Sequence, residues 1–144
     1  MVVHPGAGKP QNVWPGRKYA EAAKILGDRY GLGIVATGGP MDAAALDAFL
    51  GACERRPIVL PCPSIGFLGA LIRRSDLALC NDTGIMHIAG AVGARCVAVF
   101  GPTDPRRWKP VNATVVAVRA KDGNIESVEI EEVVAAAVSL LGNR

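Results

Sequence analysis

The stretch Asp76-Leu77-Ala78-Leu79-Cys80-Asn81-Asp82-Thr83-Gly84-Ile85-Met86-His87-Ile88-Ala89 decides the fold. Leu77 to Cys80 is a short unbroken apolar run, the pattern of a strand buried on both faces. Asn81-Asp82-Thr83-Gly84 turns the chain, and Met86, Ala89 and Val92 then recur at helical spacing. A second apolar run, Cys96 to Phe100, ends in Gly101-Pro102-Thr103-Asp104-Pro105, and the segment on to Trp108 reads as a rigid loop in which Trp108 could serve as a packing anchor. This is a strand, loop, helix, strand, loop unit. Both loops open at the carboxyl ends of their strands, the edge at which parallel sheets hold ligands.

The same alternation extends in both directions. Val2-Val3 reads as a strand running straight into His4-Pro5-Gly6-Ala7-Gly8, and its position at the start of the chain suggests a piece of a longer protein. A helix is expected from Arg17 to Arg29, with Tyr19, Ala23, Leu26 and Tyr30 on one face and Gly31 and Gly33 as its stop. Leu32 to Thr37 reads as a strand, Met41 to Ala52 as a helix, Ile58 to Leu60 as a strand closed by Pro61 and Pro63, and Ile65 to Ser75 as a helix. Past Pro110, Ala113 to Val118 is a last strand and Lys121 to Asn124 a turn. Ile130, Val133, Val134, Ala137, Val138 and Leu141 then form one helical stripe, with Glu129, Glu131 and Glu132 near its start. Such alternation predicts a single α/β domain over residues 1–144, a doubly wound parallel sheet. With strand order 3-2-1-4-5, the topological switch falls between strands 1 and 4, so the His4–Gly8 and Asn81–Gly84 loops would share one crevice.

The chain has 144 residues, half of them hydrophobic and 20% charged, enough for a substantial core. No apolar run reaches the ~20 residues of a membrane span and no signal-peptide pattern is present, so a cytoplasmic location is expected. Cys53, Cys62, Cys80 and Cys96 form no C-x-x-C pair and read as reduced, buried, structural residues. The net charge of +3 comes from scattered basic pairs without aromatic interleaving, which argues against a nucleic-acid partner.

In Asp82-Thr83-Gly84 the glycine lets a ligand approach backbone N–H groups, and the following helix N-terminus favours an anion such as phosphate. Asp82 or Thr83 could equally be an ordinary helix cap. His87, one turn beyond Thr83, could point at the same anion or simply face solvent. His4-Pro5-Gly6-Ala7-Gly8-Lys9 is a glycine-rich turn bearing a cation but lacks phosphate-loop spacing. Asp42 stands where acidic residues of nucleotide-binding βαβ folds reach ribose hydroxyls, although an acidic residue at a helix start is also good helix chemistry.

Residues Asn81 to Ala89 followed by Val99-Phe100-Gly101-Pro102-Thr103-Asp104-Pro105-Arg106-Arg107-Trp108 strongly resemble the ADP-heptose:lipopolysaccharide heptosyltransferases. His4 to Gly8 with Trp14-Pro15, and Thr37-Gly38-Gly39-Pro40, match that family in order, so the resemblance covers almost the whole chain. It implies a GT-B glycosyltransferase of two Rossmann-like domains, with this chain as the C-terminal, donor-binding half. It further implies an inverting transfer from an ADP-heptose-like nucleotide sugar in lipopolysaccharide core synthesis, without metal or other cofactor. The general base and the lipopolysaccharide-core acceptor would belong to the N-terminal half, and the enzyme could contact the inner membrane peripherally. By the same resemblance the donor-binding residues are Gly6, Gly8, Lys9, Asp42, Asp82, Thr83, Gly84 and His87. Asp82 would hold sugar- or phosphate-side groups, Thr83 and Gly84 amides would cradle the diphosphate with His87 beside it, and Asp42 would touch the ribose. Family members commonly carry a lysine shortly before Trp-Pro; here Gln11-Asn12-Val13 precede Trp14-Pro15, and Lys9 is the cation offered by that loop. The alternative expectation is a non-catalytic nucleotide-binding or interaction module that keeps the fold.

Overall fold

In a computed structural model, which describes residues 1–111 and 113–142, six strands form one sheet. They are β1 (Val2–His4), β2 (Val35–Gly38), β3 (Ile58–Pro61), β4 (Ala78–Asn81), β5 (Cys96–Phe100) and β6 (Val115–Arg119). The helices are α1 (Gly16–Tyr30), α2 (Ala43–Ala52), α3 (Ile65–Arg74), α4 (Gly84–Ala91), α5 (Pro105–Trp108) and α6 (Ile130–Leu141). Strand order is β3-β2-β1-β4-β5-β6 with every pair parallel. The expected order is therefore met, and β6 extends it by one strand. The sheet reverses its winding between β1 and β4, where His4 stands opposite Cys80.

Side chains alternate across the strands because successive Cβ atoms leave a pleated chain on opposite sides. Val3, Leu79, Val97 and Val99 enter one core with Tyr19, Ala23 and Leu26 of α1 and Val133 and Ala137 of α6. Val2, Ala78, Cys80, Cys96, Ala98 and Phe100 enter the other with Leu68 and Ile72 of α3 and Met86 and Ala89 of α4. Both faces are thus covered, which is why β4 and β5 read as unbroken apolar runs instead of alternating ones.

Helix ends follow local chemistry. Gly31 terminates α1 in the left-handed region at φ 66°, and its N–H donates to Gly27 O. The Ser64 hydroxyl caps α3 by accepting from Phe67 N–H, and Thr83 caps α4 by accepting from Ile85 N–H. Segment 101–108 is not loop throughout. Asp104 caps the short helix α5 through Arg106 N–H, and its carboxylate also takes the Arg106 guanidinium, which holds the Asp104 pKa down to about 2. Trp108 is exposed and anchors no core.

The cysteines divide. Cys80 and Cys96 are buried on neighbouring strands with their Sγ atoms 3.6 Å apart, and the Cys96 hydrogen bond together with burial pushes the Cys80 thiol up. Cys53 is only partly covered and Cys62 is exposed. Cys62 follows the edge strand β3, which has a partner strand on one side only; its N–H donates to Gly38 O of β2, and it adopts φ 46° between Pro61 and Pro63. Among the described residues no helix is long and apolar enough to cross a membrane.

Candidate functional site

One buried residue, Asn81, organises the carboxyl edge at the switch point. It ends β4, is 0% exposed, and uses its whole hydrogen-bonding capacity. Its Nδ2 donates to Pro5 O at 2.8 Å and Gly6 O at 3.1 Å, and its Oδ1 accepts from Trp14 N–H at 3.0 Å and Tyr19 O–H at 2.9 Å. The glycine-rich loop is therefore pinned at both ends by a side chain from the neighbouring strand. Trp14 is fully buried, packs edge-on against Tyr19 with ring centroids 4.9 Å apart, and donates its indole N–H to Val128 O. The Trp-Pro pair is a clamp on the loop's far end.

Beside this clamp, His4, Thr37 and Asp42 converge from β1, β2 and the start of α2. His4 Nδ1 lies 3.0 Å from Thr37 Oγ1, and its Nε2 lies 3.3 Å from Asp42 Oδ2. Gly39 N–H donates to the same Oδ2 at 2.7 Å. Asp42 occupies the N-cap position of α2 but makes no side-chain cap bond; its carboxylate turns back over the loop instead. It lies so close over Gly6 that a Cβ there would stand 2.1 Å from Oδ1. Burial pushes the His4 pKa down against the opposing pull of Asp42, so near pH 7 the imidazole is neutral. Asp42 borders two cavities. One of ≈ 550 Å³ lies between Gly8, Pro10 and Pro15 on one side and Met41, Ala45 and Ala48 on the other, and one of ≈ 160 Å³ runs past His4 and Gly39 to Cys62.

The β4–α4 loop supplies the third wall. Thr83 spends its hydroxyl on Ile85 N–H, leaving the amides of Thr83 and Gly84 without an acceptor among the described residues. Asp82 does not cap. Its Oδ2 accepts from Thr103 Oγ1 at 2.6 Å, which joins the β4 and β5 loops. Gly84 and Gly8 face open space where a side chain could have stood, and neither has a positive φ, so neither backbone nor packing demands glycine at these positions. His87 is on the exposed face of α4, and Lys9 is exposed at the start of a 3-10 turn spanning Pro10–Asn12. No side-chain contact among the described residues joins Lys9 or His87 to the other candidate residues. Lys18, the next lysine after Trp14-Pro15, is tied to Glu126 O and Val128 O and is unavailable to replace the missing lysine.

The loops are thus where the sequence pattern puts them, whereas the roles of Asn81, Thr103 and the His4–Thr37 pair emerge only from the fold. A further cavity of ≈ 130 Å³ lies between α1 and the α2–β3 connection, flanked by the ion pairs Lys24–Glu54 and Arg55–Asp28, and carries no convergent set of this kind. No group of three or more His, Cys, Asp or Glu residues placed to hold a metal occurs among the described residues.

A doubly wound parallel sheet whose polar loops meet at the β1/β4 reversal defines a Rossmann-like domain. The chain belongs to glycosyltransferase family 9 (heptosyltransferase), whose model matches residues 1–137. It is 32% identical over 120 residues to a lipopolysaccharide heptosyltransferase 3 of Escherichia coli K12, covering 81% of this chain and 35% of the relative. Among solved structures, the E. coli ADP-heptose lps heptosyltransferase II superposes with a TM-score of 0.87 at 27% identity, covering 97% of this chain and 45% of that one. A family 9 glycosyl transferase from Veillonella parvula gives 0.86 at 29% identity, with the same two coverages. The chain therefore spans less than half the length of the relatives it matches.

Proposed function

We propose that this chain is the donor-binding half of a GT-B heptosyltransferase acting in lipopolysaccharide core synthesis, and that the switch-point crevice takes an ADP-heptose-like nucleotide sugar. The observation that carries the reading is the side-by-side emergence of the β1 and β4 loops, with His4 opposite Cys80, which aims two glycine-bearing turns at one space. A diphosphate suits the unpaired amides of Thr83 and Gly84 at the N-terminus of α4, with Lys9 and His87 as the flanking donors. Asp42 takes ribose hydroxyls. Asp82, braced by Thr103, accepts from hydroxyls of the sugar.

Catalysis in this scheme is electrostatic and positional. Charge that develops on the leaving diphosphate is met by preset amides and cations, which need no reorganisation as the glycosidic bond breaks. Transfer is inverting and metal-free, with the general base and acceptor on the part of the enzyme outside this chain. The enzyme works at the cytoplasmic face, in peripheral contact with the inner membrane that carries its acceptor.

Isothermal titration of the chain with ADP and ADP-heptose tests the reading. Saturable binding of both is expected, and absence of binding to either overturns it. Asp82→Ala is expected to weaken ADP-heptose about tenfold while changing ADP little, because the lost acceptor faces the sugar. Lys9→Ala and His87→Ala should weaken ADP itself by about three- to tenfold, with melting temperatures within a few degrees of wild type, since both side chains are solvent-exposed. Unchanged ADP affinity in both variants would remove them from the site.

A further inference from the structure

We propose that His4 is a positioning residue for nucleoside recognition: held by Thr37, it fixes the Asp42 carboxylate so that one oxygen is retained by the protein and the other is offered to the ribose diol. The inference rests on the donor-binding reading above and goes beyond it by naming the residues that set nucleoside specificity.

The geometry divides the two carboxylate oxygens. Oδ2 faces His4 Nε2 at 3.3 Å and accepts from Gly39 N–H at 2.7 Å, so two donors converge on it. Oδ1 has no donor among the described residues and lies over Gly6, and Asp42 lines both cavities. A neutral imidazole has one N–H, and its partners decide which nitrogen carries it. Asp42 can only accept, which demands the proton on Nε2; Nδ1 is then an acceptor, and the Thr37 hydroxyl, fully buried at 3.0 Å, is its donor. The chain Thr37 O–H to Nδ1, Nε2–H to Asp42 fixes ring tautomer and carboxylate orientation together.

Without that brace the short Asp42 side chain, 12% exposed at the start of α2, has alternatives, including capping its own helix, which it forgoes here. A carboxylate with one free, oriented oxygen accepts a ribose hydroxyl in a charge-assisted bond, and a nucleotide lacking that hydroxyl leaves the acceptor without its partner. His4 thereby determines how strongly the site prefers a ribonucleotide, without itself touching the nucleotide.

The test is titration of the full chain with ADP and 2′,3′-dideoxy-ADP, taking the ratio of their dissociation constants. Wild type is expected to prefer ADP by about tenfold or more. His4→Phe, which keeps a ring of similar size, should bring the ratio to about twofold or less, and Thr37→Val, which keeps the buried shape and removes the hydroxyl, should at least halve it. A merely structural role would weaken both nucleotides together and leave the ratio unchanged, and that result overturns the proposal while the donor-binding reading stands. If His4→Phe does not fold, Thr37→Val decides by the same ratio. Wild-type protein that binds neither nucleotide overturns the donor-binding reading and this inference with it.

Discussion

Asn81→Ala is expected to lower stability by about 3–5 kcal/mol, seen as a fall of about 10–15 °C in melting temperature, and to abolish measurable ADP binding. The mutation deletes one amide but strands four groups: Pro5 O, Gly6 O, Trp14 N–H and Tyr19 O–H. Each sits where water has little access, so the cost is the desolvation of unpaired groups as well as the loss of four modest bonds. Asn81→Asp separates the two halves of this network. The carboxylate still accepts from Trp14 and Tyr19 but opposes the carbonyls of Pro5 and Gly6. A buried carboxyl in that position has its folded pKa raised above the unfolded value. Its neutral form is therefore favoured in the fold, and the variant should melt higher at pH 5 than at pH 8. A loss below about 1 kcal/mol in Asn81→Ala would mean that the loop is held by other means. Thermal melting followed by circular dichroism measures both variants.

Gly6→Ala is expected to cost about 1–3 kcal/mol and to reduce ADP affinity at least tenfold. The new methyl would lie 2.1 Å from Asp42 Oδ1 and 2.2 Å from its Cγ, a distance no relaxation of the methyl alone can relieve. The carboxylate must swing away, giving up Gly39 N–H and His4 together. Gly8→Ala is the paired control, because a Cβ there meets nothing within 4 Å. It should leave stability unchanged and weaken binding only through contact with the ligand. Equal stability of the two variants would show that the Asp42 contact over Gly6 is dispensable.

Much of the fold was legible because it depends on local pattern. Apolar runs and helical stripes marked the strands and the five longer helices, Gly31 marked the end of α1, and the alternation of elements implied a doubly wound parallel sheet, for which the order taken around β1 and β4 is the one found. The four-residue α5 escaped notice since one turn has no period to recognise, and its Pro and Asp read equally well as loop. At the candidate site the difference is sharper. Gly6, Gly8, Asp82 to Gly84 and Asp42 stood out as turn and cap residues beside strand ends. Asn81 looked like part of the same turn, yet its four bonds reach across 62 to 76 positions. His4 and Asp42 are likewise brought together only by the parallel pairing of β1 with β2. Cys62 is exposed although cysteine reads as a buried apolar residue, because it follows β3, which the expected strand order already puts at the sheet's edge.

In the proposed assignment the crevice at the β1/β4 reversal holds the donor's nucleoside diphosphate. Amide-resolved NMR of the labelled chain titrated with ADP tests it most directly. Saturable shifts are expected to concentrate at the amides of Gly6, Gly8, Gly39, Thr83 and Gly84, with the amides around Lys24 and Glu54 at the far edge of the sheet unmoved. Shifts centred on that far edge, or no saturable change at any of these loop amides, would contradict it.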